Sequence, residues 1–239
     1  MRLLTILLFC AGLAIANSVG QSSSSSGQQQ LNHTQPLQTT IERIDITDAI
    51  FRDGISELSL QNIKGLHIGF EEVIRQEIQQ DPRTVSPHFD IHLQRKTVRE
   101  ILDTLCEADP RYTWSQDGPT VNIYPREVID DQSYLFNLRI DHIALKNIPD
   151  PDQALTPLSD KFREQQVGYF GPGLASNTYP EPWTTAFEAI TVRQFINRIA
   201  EHIGPQTSWV WEGGKNERMF TFLKGGFHTF RPSQRGGTS

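Results

Sequence analysis

Two stretches of this chain share one pattern of polar and apolar positions. The first, from Thr97 to Trp114, reads TVREILDTLCEADPRYTW, and the second, from Thr191 to Trp211, reads TVRQFINRIAEHIGPQTSWVW. Thr-Val-Arg recurs after 94 positions (97 to 191), and Trp114 is matched by Trp209 after 95. A single inserted residue reconciles the two copies, so the pattern predicts an internal repeat.

Each copy predicts a capped helix followed by an aromatic strand. Thr97 with Glu100, and Thr191 with Gln194, form the capping-box pattern, in which hydroxyl and side-chain oxygen accept backbone N–H groups reciprocally. Apolar residues then follow at helical spacing: Val98, Ile101, Leu102 and Leu105 in the first copy, and Val192, Phe195, Ile196, Ile199 and Ile203 in the second. Pro110 and Gly204-Pro205 are typical helix ends.

Weaker patterns fill the rest of two repeats. They predict a strand from 41, a helix at 47–58, a strand at 65–70, a short helix at 73–80, a strand at 89–93, a hairpin at 112–124, a strand at 136–140, a helix at 152–165, a strand at 167–170, a strand at 183–189 and a hairpin at 208–222. The fold expected from this order is α+β, with two tandem βαβ-type repeats at 39–126 and 134–224, each with two helices packed on small sheets.

The N-terminal residues predict export. Arg2 precedes an apolar run at 3–16, and Ala14-Ile15-Ala16 has the small-x-small pattern of a signal-peptide cleavage site. The run is shorter than the roughly 20 residues of a membrane span. We therefore expect a signal peptide at 1–16, a periplasmic or secreted protein, and no transmembrane span after signal removal. Residues 17–38, rich in Ser and Gln, predict a disordered linker, and residues 225–239 predict a flexible tail.

Composition narrows the function classes. A net charge of -6 disfavours nucleic acid as a partner, because phosphates require a concentrated basic face. Two cysteines are too few for a disulfide scaffold. Cys106 follows Leu105 in an amphipathic helix, and burial in apolar surroundings predicts an unreactive thiol there.

The pattern resembles the secretin and TonB-receptor short N-terminal (STN) domain, a periplasmic module found ahead of outer-membrane channels and receptors. The resemblance is carried by the predicted helix and strand over 50–70, with GLHIGF, and by FDIHLQRKTVREILDTLCEADPRYTW with the closing VNIYP. It covers about half of the chain well and the other half more loosely, through the repeat. It implies compact βαβ units and a role in interactions with other envelope proteins.

The sequence offers little that predicts chemistry. His88, Asp90 and His92 alternate along a predicted strand, where two residues of separation span about 6.6 Å, so the two histidines stand about 13 Å apart and cannot share one ion. A solvated strand face is the preferred interpretation, and no metal or other cofactor is predicted. Motifs for a nucleophile elbow, a phosphate loop or a zinc protease are absent from the sequence. We therefore do not expect an enzyme.

Aromatic residues are the better functional signal. Tyr112 with Trp114, and Trp209 with Trp211, are either core residues or a stacking platform, and core is the preferred interpretation. A second set flanks a long Gly- and Pro-containing loop, where binding residues are often found; its members are Tyr169, Phe170, Tyr179 and Trp183. The resulting hypothesis is a non-catalytic module that binds another envelope protein. An envelope glycan- or peptidoglycan-binding module is the alternative, and a hydrolase is the least favoured class.

Overall fold

The computed structural model describes residues 36–73, 85–164, 167–170, 181–214 and 217–224. The predicted signal peptide, all but 36–38 of the predicted linker, and the predicted tail lie outside these residues, as does nearly all of the short helix predicted at 73–80. Below, the first half means residues 39–126 and the second half means residues 134–224.

The described residues have a mixed architecture, which confirms the predicted α+β class. The strands are β1 (Thr40–Ala49), β2 (His67–Glu71), β3 (Phe89–Thr97), β4 (Tyr112–Asp117), β5 (Thr120–Pro125), β6 (Arg139–Ile148), β7 (Val167–Phe170), β8 (Trp183–Thr191), β9 (Thr207–Gly214) and β10 (Glu217–Lys224). The α-helices are α1 (Phe51–Leu60), α2 (Val98–Ala108), α3 (Pro151–Leu155), α4 (Ser159–Glu164) and α5 (Val192–Ile203).

Both halves contribute strands to one six-stranded sheet, in the order β4-β5-β2-β9-β10-β7. Within the first half β4 and β5 form an antiparallel hairpin and β5 pairs in parallel with β2. Within the second half β9 and β10 form the hairpin and β10 pairs in parallel with β7. The halves meet where β2 and β9 run in parallel. Separately, β1 pairs with β3 and β6 with β8 as two antiparallel ribbons.

The central sheet has a hydrophobic core on each face. Because side chains alternate along a strand, Val210 points to one face while its neighbours Trp209 and Trp211 point to the other. Val210 packs with the apolar faces of α1 and α2, together with Ile68 and Phe70 of β2. The two tryptophans pack with the apolar faces of α3, α4 and α5. The helices of the two halves therefore cover opposite faces of the same sheet.

The two capped helices were predicted correctly. Thr97 Oγ1 accepts a hydrogen bond from the Glu100 backbone N–H at 3.2 Å, and the Glu100 carboxylate accepts one from the Thr97 N–H at 2.8 Å. Thr191 and Gln194 make the same pair of bonds, at 3.2 and 2.9 Å. The second helix ends before Gly204, whose φ of 135° is a conformation that favours glycine.

The first predicted helix begins later than the sequence pattern indicated. We predicted a helix at 47–58, but β1 continues through Ala49, which pairs with Phe89, and α1 begins at Phe51. Ile50 has an extended backbone, and its N–H donates to the Asp53 carboxylate at 3.1 Å. Pairing with β3 therefore extends the strand past Thr47, and the helix is capped from Asp53 instead.

Two predictions in the second half also need correction. The helix predicted at 152–165 is divided into α3, a 3-10 turn (Thr156–Leu158) and α4, because Pro157 has no N–H to donate within a continuous helix. The strand predicted at 136–140 is mostly a 3-10 turn (Leu135–Asn137), and β6 begins only at Arg139. Phe136 is nevertheless fully buried, because its ring stacks on that of Trp209.

Among the described residues, no helix has both the length and the apolar character needed to cross a membrane.

Candidate functional site

An apolar depression lies where the β6–β8 ribbon ends beside the last turn of α5. It is shallow, with a cavity volume of only about 10 Å³, and Trp183, at the start of β8, forms one wall. The remaining lining residues are Ile148, Pro149, Asp150, Pro151, Ala154, Glu181, Ile199, His202 and Ile203. The depression is thus mostly hydrophobic, with two carboxylate-bearing residues in its lining.

The end of the ribbon fixes the position of Trp183. Trp183 pairs with Ile148 after an irregularity in the β6–β8 register. Asn147 precedes that pair with a φ of 53°, and its backbone N–H donates to Thr184 Oγ1 at 2.9 Å. The left-handed residue and this hydrogen bond to the partner strand are typical of a bulge at a strand end. Trp183 therefore lies at an irregular end of the ribbon, opposite Ile148.

The ring of Trp183 stacks on the imidazole of His202. The two ring centroids lie 4.3 Å apart with an interplanar angle of 12°, and the Phe187 ring meets the indole edge-on at 5.7 Å. Burial lowers the pKa of His202, although a hydrogen bond to the Glu181 backbone acts in the opposite direction. The imidazole is accordingly a neutral aromatic surface at neutral pH. Trp183 itself remains half-buried, so part of the indole is accessible to a ligand.

The rest of the depression suits an apolar group. Ile199, Ile203 and Ala154 are buried in the second-half core, and Asp150 caps α3 by accepting the Gln153 N–H at 2.8 Å. Because the Asp150 carboxylate is held by this cap, it lies as a fixed acidic group next to a hydrophobic surface. Such a surface suits contact with an apolar group that has a hydrogen-bond donor or a positive charge beside it.

The four aromatic residues predicted for binding are described to different extents. Trp183 lies in the depression. The backbones of Tyr169 and Phe170 belong to β7 at one end of the central sheet, where they pair with Met219 and Phe220; their side chains lie outside the described part of the chain. Tyr179 lies outside the described residues altogether. The prediction of a common site for all four therefore stays a prediction.

The aromatic residues of the two hairpins, Tyr112 with Trp114 and Trp209 with Trp211, are mostly core residues. Trp209 and Trp211 are fully buried and Tyr112 is 3% exposed, as the preferred interpretation held. Trp114 differs, because its ring is only partly buried and Arg99 lies over it at 5.0 Å from the ring centroid.

The predicted strand face with alternating histidines carries separate ion pairs. His88 lies 2.6 Å from an Asp48 carboxylate oxygen, and His92 contacts Asp45 instead. In the described ranges, no group of three or more His, Cys, Asp or Glu side chains could hold a metal ion. The thiol of Cys106 is partly buried, and burial raises its pKa to about 12; the low reactivity expected from the sequence stays a prediction.

A largely buried cluster of charged residues lies at the junction between the halves, and the sequence pattern did not predict it. Glu71, on β2, is fully buried and accepts from Arg193 Nε at 2.5 Å and from Arg193 Nη2 at 3.0 Å. Arg193, the second residue of α5, also donates to Asn137 and lies 4.4 Å from the Tyr124 ring centroid. Desolvation by burial opposes protonation of Arg193, but the Glu71 carboxylate outweighs it and the pKa is raised.

A second ion pair crosses the junction, but here the arginine belongs to the first half and the carboxylate to the second. Arg52 of α1, in the first half, contacts Glu212 of β9, in the second half, at 2.6 Å. Glu72 lies 3.8 Å from the same guanidinium. Adjacent Glu71 and Glu72 thus form ion pairs on opposite faces of the sheet. The recurrence of arginine in both Thr-Val-Arg copies was the only sequence signal for the position of Arg193.

No protein-family model matches the chain, and the comparisons with curated proteins and with solved structures also find no match.

Proposed function

We propose that this chain is a non-catalytic, periplasmic or secreted module that binds another envelope protein, and that its two halves are descendants of one STN-like unit. The hydrogen-bonding order common to the halves, a hairpin whose second strand pairs in parallel with an earlier strand, supports a common origin. The recurrent Thr-Val-Arg helix start and its cap support it independently.

The depression at Trp183 carries the interaction proposal. A half-buried tryptophan held by a stack on His202, beside the buried Ile199 and Ile203, has the character of an anchor in a protein interface. Interface affinity concentrates in such aromatic positions when an apolar pocket surrounds them. A partner would lay an apolar side chain over the indole and the shallow apolar surface beside it, with a donor directed to Asp150.

Capture of partners from an envelope extract tests this function. The full chain is immobilised as wild type, as Trp183→Ala and as Phe89→Ala, where Phe89 is the residue 94 positions earlier, at the end of the β1–β3 ribbon. Chemical cross-linking and mass spectrometry identify proteins that contact each form. We expect a partner that wild type and Phe89→Ala retain and that Trp183→Ala loses, with cross-links near 148–154 and 199–203.

The same recovery from all three forms would contradict a site at Trp183. Thermal unfolding of each variant shows whether loss of binding reflects loss of folding. Titration with cell-wall fragments separates the alternative function, since a glycan module predicts a tryptophan fluorescence change that Trp183→Ala abolishes. That response, without a protein partner, would replace the protein-interaction proposal.

A further inference from the structure

At the junction between the halves, β2 lies in a strand-binding socket, by which we mean a tryptophan, the helix residue that accepts its N–H, and the arginine at the start of that helix. The indole of Trp209, on β9, covers Gly69 of the neighbouring β2, and a Cβ built on Gly69 would lie 2.4 Å from two ring carbons of that indole. The Trp209 N–H donates to Asn197 at 2.9 Å, which fixes the ring against α5. Two residues after Gly69, the Glu71 carboxylate is held by Arg193 at the start of the same helix.

The first half contains the same parts in the same order. The Trp114 N–H, on β4, donates to Asp103 of α2 at 2.9 Å, and Asp103 is four residues after Arg99 just as Asn197 is four after Arg193. Arg99 follows Thr97-Val98 as Arg193 follows its own Thr-Val. Tryptophan, helix hydrogen bond and arginine are therefore repeated, which makes β4 the counterpart of β9.

The two sockets differ in what lies beside the strand. β9 pairs with β10 on one side and with β2 on the other, whereas within the described residues β4 pairs only with β5 and ends the sheet. Arg99 is exposed and, in the described part of the chain, contacts no carboxylate; its guanidinium lies over the Trp114 ring instead. An open depression runs along this edge. Its lining includes Arg99, Thr113, Trp114 and Gln116, a second arginine (Arg126), and the acidic residues Asp103 and Glu107.

We propose that the outer edge of β4 binds an extended segment of a partner protein, in parallel with β4, by repeating the β2–β9 junction. In that junction Gly69 is opposite Trp209 and Glu71 is opposite Trp211. The segment would therefore place a glycine opposite Trp114 and an acidic residue two positions later, opposite Gln116, where Arg99 pairs with it.

Physical requirements restrict the segment. A side chain larger than hydrogen opposite Trp114 would collide with the indole, as it would at Gly69. Backbone hydrogen bonds along the strand edge supply affinity that does not depend on sequence, and the glycine and carboxylate supply selectivity. Arg99 must leave the face of Trp114 to reach the carboxylate, so binding changes the environment of that indole. The inference rests on the proposed interaction function and names one edge and one class of ligand for it.

A peptide of residues 66–73, LHIGFEEV, is the probe, because the occupied socket already holds this sequence. It is titrated into the full-length chain while hydrogen exchange is followed residue by residue. We expect slower exchange of backbone amides in β4 and a change in tryptophan fluorescence. A peptide with Glu71→Gln, or the protein variant Arg99→Gln, should weaken binding about tenfold or more, and a peptide with Gly69→Val should not protect β4.

A charge exchange tests the pairing directly. Protein Arg99→Glu should reject the native peptide and bind a peptide with Glu71→Lys, whereas Arg43→Glu, at an exposed arginine of β1, should leave native binding unchanged. Equal binding by wild type and Arg99→Gln, or protection at strands other than β4, would overturn the inference. If the peptide fails but capture through Trp183 succeeds, only this inference is lost; if both fail, the interaction function fails with it.

Discussion

Helices α2 and α5 begin with the same three residues and the same cap, yet one lies at the end of the central sheet and the other at its middle. The start of α5 faces β2 of the other half, so Arg193 is only 13% exposed and pairs with the fully buried Glu71. The start of α2 faces the edge of β4, so Arg99 is exposed. Identical local sequence thus produces a structural ion pair in one place and an available cation in the other.

The side chain that accepts the hydrogen bond from each tryptophan N–H also differs in burial between the two halves. Asn197 is fully buried, and besides accepting from Trp209 it donates to Asp117 of β4 at 2.9 Å. Its counterpart Asp103 lies at the sheet edge, where its hydrogen bond with Trp114 is exposed. A neutral amide satisfies both partners without the cost of burying a charge, whereas a carboxylate at the edge keeps contact with water.

Replacing the arginine at each helix start should reveal the largest difference in stability between the two positions. Arg193→Met leaves the Glu71 carboxylate buried without its cation, so we expect the free energy of unfolding to fall by about 3–5 kcal/mol. Arg99→Met removes an exposed side chain and should change it by less than about 0.5 kcal/mol. Urea denaturation of both variants measures the difference.

The double variant Arg193→Met with Glu71→Gln serves as the control for this pair. Since the uncompensated charge is gone, it should recover part of the loss seen in Arg193→Met alone. A similar loss in Arg193→Met and Arg99→Met would mean that the two helix starts have equivalent surroundings, contrary to the strand order.

A methyl group at Gly69 should have the next largest effect. Gly69→Ala places a Cβ against the Trp209 indole, which cannot retreat because it is fully buried and stacked on Phe136 with ring centroids 5.3 Å apart. Overpacking of this kind costs about 1–3 kcal/mol. Thermal or urea unfolding measures it, and a double-mutant cycle with Trp209→Phe should show that the two substitutions are coupled. Additive effects would place the strain elsewhere than at the indole.

Local elements were predictable from sequence because their causes are local. The caps at Thr97 and Thr191 and the helical spacing after them depend on residues within a few positions, and both helices begin directly after the predicted caps. The division of the 152–165 helix was less visible, because it depended on whether Pro157 would begin a helix or interrupt one.

The sheet that joins the halves was not predictable in the same way. Its central contact pairs Gly69 with Trp209, which are 140 positions apart. Nothing in the sequence around either residue predicts that it pairs with the other. Two repeats can also fold as separate sheets, and no pattern along either half distinguishes that arrangement from a shared one. The candidate site shows the same limit: Trp183 was identified from its place beside a Gly- and Pro-containing loop, whereas His202 was missed because a histidine late in an amphipathic helix carries no special signal.

The smallest predicted effect distinguishes the two capping boxes by pH. Glu100 in the first is ionisable, whereas Gln194 in the second is not. Hydrogen bonds from Lys96, and then from the Thr97 backbone and hydroxyl, lower the pKa of Glu100 from 4.5 to about 2. A carboxylate with a lowered folded-state pKa stabilises the fold above its unfolded pKa, and this contribution declines as the pH falls from about 4.5 towards 2.

Glu100→Gln makes the first box resemble the second, and should reduce the urea midpoint slightly at pH 7 and progressively less at pH 4 and pH 3. Because Lys96 and Glu100 are exposed, added salt should also shrink the difference. A difference between wild type and Glu100→Gln that is the same at pH 7 and pH 3 would show that the Glu100 charge contributes nothing to the cap.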